Sequence, residues 1–153
     1  MLLIGQFEHT IDAKGRLAVP AEIRARWVAE RDGGAWFAVP WSGGRIRLYT
    51  ETEFNKRASA ALGSGLTPSE ELAELQAVLF GSSARLETDS AGRIRIPDAM
   101  LSAAGLGKEV VLIGCGDRLE VRDRSAWKSG DEARLSSIPE LLRKLEQRGK
   151  DLG

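Results

Sequence analysis

The 153 residues are 42% hydrophobic and 29% charged, enough apolar content for a buried core and too much for a globally disordered chain. The 22 Lys/Arg are balanced by 22 Asp/Glu, which excludes a uniformly basic nucleic-acid binder; the single Cys and single His exclude an internal disulfide and a Cys/His zinc cluster. No apolar run approaches the roughly 20 residues of a membrane span, and Met1-Leu-Leu-Ile-Gly5 has neither a basic leader nor a cleavage site, so a cytoplasmic chain with no membrane partner is expected.

Residues 2–11 alternate apolar and polar after Gly5 and predict a strand, with Phe7, His9 and Ile11 on one parity. His9 has no Cys/His partners and reads as a packed or edge residue, not a metal ligand. A turn at 12–15 leads into the alternating Leu17/Val19, and Pro20 opens a helix over 21–30 with Ile23 and Trp27 on one face. Asp32-Gly-Gly34 ends it. An apolar strand over 35–39 and a Ser42-Gly-Gly44 hairpin signal precede an alternating strand over 45–49. A helix over 50–62 follows, then a break at Gly63-Ser64-Gly65. Thr67-Pro-Ser-Glu70 carries cap chemistry for a second helix over 68–79, and Phe80-Gly81 is expected to return to extended structure. The stripe Leu72, Leu75, Val78 and Leu79 suits a core or subunit contact.

The plan then recurs. A helix is expected over 98–104 with Gly105 as its stop, strands over 108–113 and 118–122, and a helix from 123 to 128 anchored by Trp127. Cys115 reads as a small buried residue. A last helix is placed over 139–147, with Leu141, Leu142 and Leu145 on one side, and residues 149–153 are expected to fray.

The recurrence has a sharp centre. Asp12-Ala-Lys-Gly15-Arg16-Leu-Ala-Val-Pro20 returns as Asp89-Ser-Ala-Gly92-Arg93-Ile-Arg-Ile-Pro97, with Asp, Gly, Arg and Pro all offset by 77 positions. An Asp with a Gly three residues on makes a capped turn: the carboxylate accepts from the loop's own N–H groups, and Gly tolerates positive φ. Asp12, Gly15, Asp89 and Gly92 are therefore the loop-capping residues.

This motif resembles the looped-hinge helix of the AbrB/SpoVT superfamily, and two tandem copies in a chain of this length resemble the MraZ family. Gly5, Glu8–Leu17, Pro20-Ala-x-Ile-Arg24, Val110–Gly114, Asp117–Val121 and Trp127 extend the likeness over roughly residues 1–128. The resemblance implies an α+β fold of two pseudo-equivalent β-rich halves forming one swapped-hairpin-type barrel, with bridging and C-terminal helices. It divides the chain into a first repeat (1–57), a helical connector (58–80), a second repeat (81–128) and a helical tail (129–153). It also implies a transcriptional regulator that assembles as a homo-oligomeric ring. Such a regulator binds short direct repeats in the double-stranded promoter DNA of its own division and cell-wall gene cluster, at the nucleoid.

The candidate DNA-binding residues are Lys14, Arg16, Arg24 and Arg93. Residues 14–26 hold four basic side chains against Glu22 alone, so charge is locally positive in a neutral chain. Arg16 and Arg93 are equally suited to intramolecular pairs with Asp12 and Asp89; a carboxylate-held guanidinium can still read phosphate or guanine. Arg24 could equally be a solvated helix residue. The halves are unequal, because Ala91 stands where the first has Lys14 and Leu101 where it has Arg24. No catalytic residue, metal site or cofactor is expected: His9 has no nucleophile signature beside it, and Gly105-Leu-Gly-Lys108 is too short for a phosphate loop. An Asp12/Asp89 acid–base dyad suits these positions less well than caps do. The remaining alternative is an oligomer of this fold that does not bind specific DNA.

Overall fold

The computed structural model describes residues 1–63 and 65–152; Ser64 of the Gly63–Gly65 break and Gly153 of the tail lie outside the described residues. Two sheets and seven helices form a mixed α+β architecture among these residues. In chain order the elements are β1 (Gln6–Thr10), β2 (Arg16–Ala18), α1 (Ala21–Arg26), α2 (Ala29–Asp32), β3 (Trp36–Trp41), β4 (Arg45–Thr50), α3 (Glu51–Leu62) and α4 (Glu70–Gly81). Then follow β5 (Ala84–Leu86), β6 (Arg93–Arg95), α5 (Asp98–Ala104), β7 (Glu109–Gly114), β8 (Leu119–Asp123), α6 (Arg124–Lys128) and α7 (Asp131–Leu152).

The large sheet is antiparallel and runs β1-β7-β8-β4-β3-β5; the small one is the pair β2-β6. Only the hairpins β3–β4 and β7–β8 pair within a half. The others, β1–β7, β3–β5, β4–β8 and β2–β6, all cross from one half to the other. The large sheet is open, with β1 and β5 at its edges.

One core serves both halves. Leu17 and Ile94 face each other in register and are fully buried, joined by Val19, Ile23, Trp36, Ile46, Leu48, Ile96, Leu112 and Leu119. Burying side chains of this size contributes about 1.5–3 kcal/mol each. Along β4, Ile46, Leu48 and Thr50 are buried while Arg45, Arg47 and Tyr49 are half-buried on the opposite face.

Four elements depart from the sequence reading. The helix expected over 21–30 breaks at Trp27, whose extended backbone lets its indole Nε1–H donate to the Gly33 carbonyl (3.0 Å) and lie 5.0 Å from the Trp36 ring. Asp32, taken as part of a terminating turn, is buried and accepts from the Val28 N–H (2.9 Å), which starts the short α2. Phe80 stays helical because its ring meets Phe54 edge-on, and Phe54 in turn stacks 4.5 Å from Phe37. The final helix begins eight residues earlier than expected and runs through Pro139. The carbonyl left without a donor there belongs to Leu135, whose exposed position leaves it to water.

Because four of the six strand pairings cross between halves, residues 1–65 expressed alone should show no cooperative thermal melt by circular dichroism. A sharp monomeric transition would contradict the shared core.

Candidate nucleic-acid interface

Each hinge loop is a small self-contained circuit. Asp12 Oδ1 accepts from the Lys14 and Arg16 amides (2.9 Å each), and its Oδ2 accepts from Arg16 Nε (2.6 Å). Asp89 repeats this with the Ala91 and Arg93 amides (2.9 Å each) and Arg93 Nε (3.0 Å). Gly15 and Gly92 have φ of 78° and 77°, a region that side chains disfavour. They are also closely approached: a Cβ would fall 2.7 Å from the Ile96 carbonyl oxygen at Gly15 and 2.5 Å from the Arg24 guanidinium carbon at Gly92.

The loops are stitched to each other's halves. Gly15 offers its carbonyl to the Ile96 amide and Gly92 offers its own to Val19, both at 2.9 Å. Register then sets Arg16 opposite Arg95 and Ala18 opposite Arg93. Since Leu17 and Ile94 point into the core, strand alternation turns Arg16, Arg93 and Arg95 to the other face. Lys14 stands exposed on the first loop. The outcome is a basic strip built from both halves.

Both loop carboxylates are held charged. The Arg16 amide and, against the opposing effect of burial, the Arg16 guanidinium and Lys14 amide bring Asp12 down to about 2. The Arg93 amide chiefly lowers Asp89 in the same direction. Arg16 and Arg93 are thus each matched by one anion, whereas Lys14 and Arg95 make no ion pair among the described residues.

A family described as "MraZ protein, putative antitoxin-like" matches residues 79–144. A protein of Mycoplasmoides gallisepticum is 33% identical over 147 residues, 95% of this chain and 98% of its own length, and is named "Transcriptional regulator MraZ". Proteins with that name from Heliobacterium modesticaldum (31% identical; 94% of this chain, 96% of the relative) and Parvibaculum lavamentivorans (33%; 91% and 88%) also align over most of both chains. This chain belongs to the MraZ family.

Within this MraZ chain the candidate residues are not equivalent. Lys14, Arg16 and Arg93 lie on the strip, with Arg95, which the sequence reading passed over although the alternation Arg93-Ile94-Arg95 pointed to it. Arg24 is placed elsewhere: Nε donates to the Val19 carbonyl (3.0 Å) and the guanidinium lies over Gly92, bracing α1 against the second loop. His9 is half-buried, and burial, helped by Arg124, lowers its pKa. No three His, Cys, Asp or Glu among the described residues are grouped to hold a metal, and none of their helices is long and apolar enough to cross a membrane.

A second polar cluster lay hidden in the sequence. Glu120 is fully buried between Leu119 and Val121, ringed by Arg122 (2.6 Å), Arg118 (2.9 Å), Arg45 (3.4 Å) and Arg47 (3.5 Å). Burial pushes its pKa up, but hydrogen bonds from Arg122 and Arg118 outweigh this and hold it below the usual carboxylate range. The guanidiniums of Arg47 and Arg122 lie over the Trp41 and Trp127 rings at 4.0 and 5.0 Å. Arginines of β4 and of β8 with the turn before it are all tied to this one carboxylate.

Glu120→Gln removes the shared anion and should destabilise the protein by about 3 kcal/mol in urea titrations, the lower end for a broken buried pair because the arginines are 20–28% exposed. Asp12, with its pKa lowered from 3.8 to about 2, should contribute stability that is intact above pH 4 and lost as pH falls towards 2. Protection of the Lys14 and Arg16 amides, measured by NMR as exchange relative to the intrinsic rate at the same pH, should fall across that window and show no such step in Asp12→Ala.

Proposed function

We propose that this chain is a sequence-specific DNA-binding regulator of transcription, a non-enzymatic protein working in the cytoplasm at the nucleoid without a cofactor. The observation that carries the reading is the strip across β2 and β6, where Arg16, Arg95 and Arg93 share one face and Lys14 caps one end. Carboxylates that fix the Arg16 and Arg93 guanidiniums lower the entropy lost on contact with phosphates or base edges. The names of the relatives support regulation of transcription.

The target in this proposal is the promoter of the chain's own division and cell-wall gene cluster, read as short direct repeats. A neutral chain binds such DNA weakly, so several copies act together as a closed homo-oligomeric ring. Linked weak contacts reach an avidity that none has alone. In domain terms, 1–57 and 81–128 are the two AbrB/SpoVT-like repeats, 58–80 the connector and 129–153 the tail. The crossed pairings support the further reading that the repeats are swapped hairpins of one barrel-like body. Lys14 and Arg16 are the principal DNA contacts, Arg93 and Arg95 the secondary ones, and Arg24 positions the second loop.

Promoter titrations at several salt concentrations test this. Arg16→Ala should weaken binding by about 1–3 kcal/mol per engaged site, and Lys14→Ala should lower the salt slope by about 1 per engaged loop. Arg93→Ala should cost less affinity. Equal losses for Arg16→Ala and Arg93→Ala would remove the asymmetry between the halves. Binding that ignores both salt and promoter sequence would point instead to an interaction oligomer without specific DNA.

A further inference from the structure

Two apolar surfaces remain bare, and they complement each other. On α7 the residues Leu135, Ile138, Leu142 and Leu145 recur at spacings of three, four and three, the seam of a heptad, with Leu141 widening it. They are 48–73% exposed, and every residue from Ile138 to Lys150 is exposed. A helix of 22 residues is about 33 Å long, so its distal half stands off the body. On α4, Leu75 and Val78 are 55% and 57% exposed beside an open groove of about 420 Å³, lined by Pro40, Trp41, Leu79 and Ala103 as well. Both surfaces are exposed at once in the single chain, so α7 does not cover its own groove.

Charge distinguishes the two. Helix α4 carries Glu70, Glu71 and Glu74 and no cation. Residues 143–150 carry Arg143, Lys144, Arg148 and Lys150 against Glu146 alone. Apart from Arg143, which reaches Glu140, none of these side chains is in an ion pair among the described residues.

We infer that the α7 leucine seam of one copy docks in the α4 groove of a second copy, with the basic end of α7 lying along the acidic turns of α4. The contact is heterologous, so each copy gives a helix and receives one, and repetition closes a ring. Self-pairing of α7 would bury its seam but leave Leu75 and Val78 bare; the α7–α4 contact buries both. The inference rests on the ring reading proposed above and assigns its interface.

Light scattering on charge-reversed chains decides it. The groove variant Glu70→Lys/Glu71→Lys/Glu74→Lys and the tail variant Lys144→Glu/Arg148→Glu/Lys150→Glu should each fall from the wild-type mass towards the 16.6 kDa of one chain. Mixing the two should restore the assembly, because each then offers the partner the other lacks. Leu142→Ser, at an exposed position, tests the same contact without touching charge, and circular dichroism checks that every variant stays folded. A groove variant that keeps the wild-type mass while the tail variant dissociates would mean that α7 pairs with itself. Folded variants that all keep the wild-type mass would place the interface elsewhere; either result overturns the inference and leaves the ring. A wild-type mass of 16.6 kDa would overturn the ring reading as well.

Discussion

The fold depends on a reciprocal pair of backbone hydrogen bonds. Gly15 gives its carbonyl to Ile96, and Gly92 gives its carbonyl to Val19, both at 2.9 Å. Between them the three-residue strands β2 and β6 pair, and Leu17 meets Ile94 at the bottom of the core. Strands this short have little stability alone. Their register is fixed from both ends by loops that belong to opposite halves. Both glycines are needed twice over, for positive φ and for the close approach of the neighbouring carbonyl or guanidinium.

Local charge follows from that arrangement. The chain is neutral overall, and each loop arginine is tied to an aspartate, so the loops are not simply basic. What the strand alternation does is sort: apolar Leu17 and Ile94 go inward, and the cations of both halves collect on one outer face. The opposite solution operates around Glu120, where four cations converge on one buried anion, and two of them lie over the Trp41 and Trp127 rings. The same residue type thus lines an outer face in one sheet and surrounds a buried carboxylate in the other.

Much of this was legible in the sequence where the signal is local. Asp12 and Asp89 three residues before a glycine, the Ser42-Gly43-Gly44 turn and the helix over 98–104 all depend on neighbours a few positions away, and the structure has an element or turn at each. The failures are cases where a distant partner decided. Trp27 leaves the helix for Gly33 and Trp36, and Phe80 stays in one for Phe54. Glu120 lay in an alternating strand, where a charged residue normally faces water; its burial needs arginines 75 and 73 positions earlier, on β4. Arg95 shows the converse, a residue whose parity was readable but whose neighbour Arg16 emerged only with the register.

The crossed pairings also bear on how such a chain could arise and change. Strand β4 pairs with its counterpart β8, β2 with its counterpart β6, and β1–β7 is mirrored by β5–β3. These are the contacts that two separate copies of one repeat would make about a twofold axis. Covalent fusion through α3 and α4 turns that association into an intramolecular event, no longer diluted by low concentration. It also releases a constraint of identity. In a dimer of equal repeats, a lysine at the loop tip or an arginine over the opposite glycine appears on both sides or on neither. Here Lys14 faces a counterpart Ala91, and Arg24 a counterpart Leu101, so the fused pair carries a direction that a symmetric one could not.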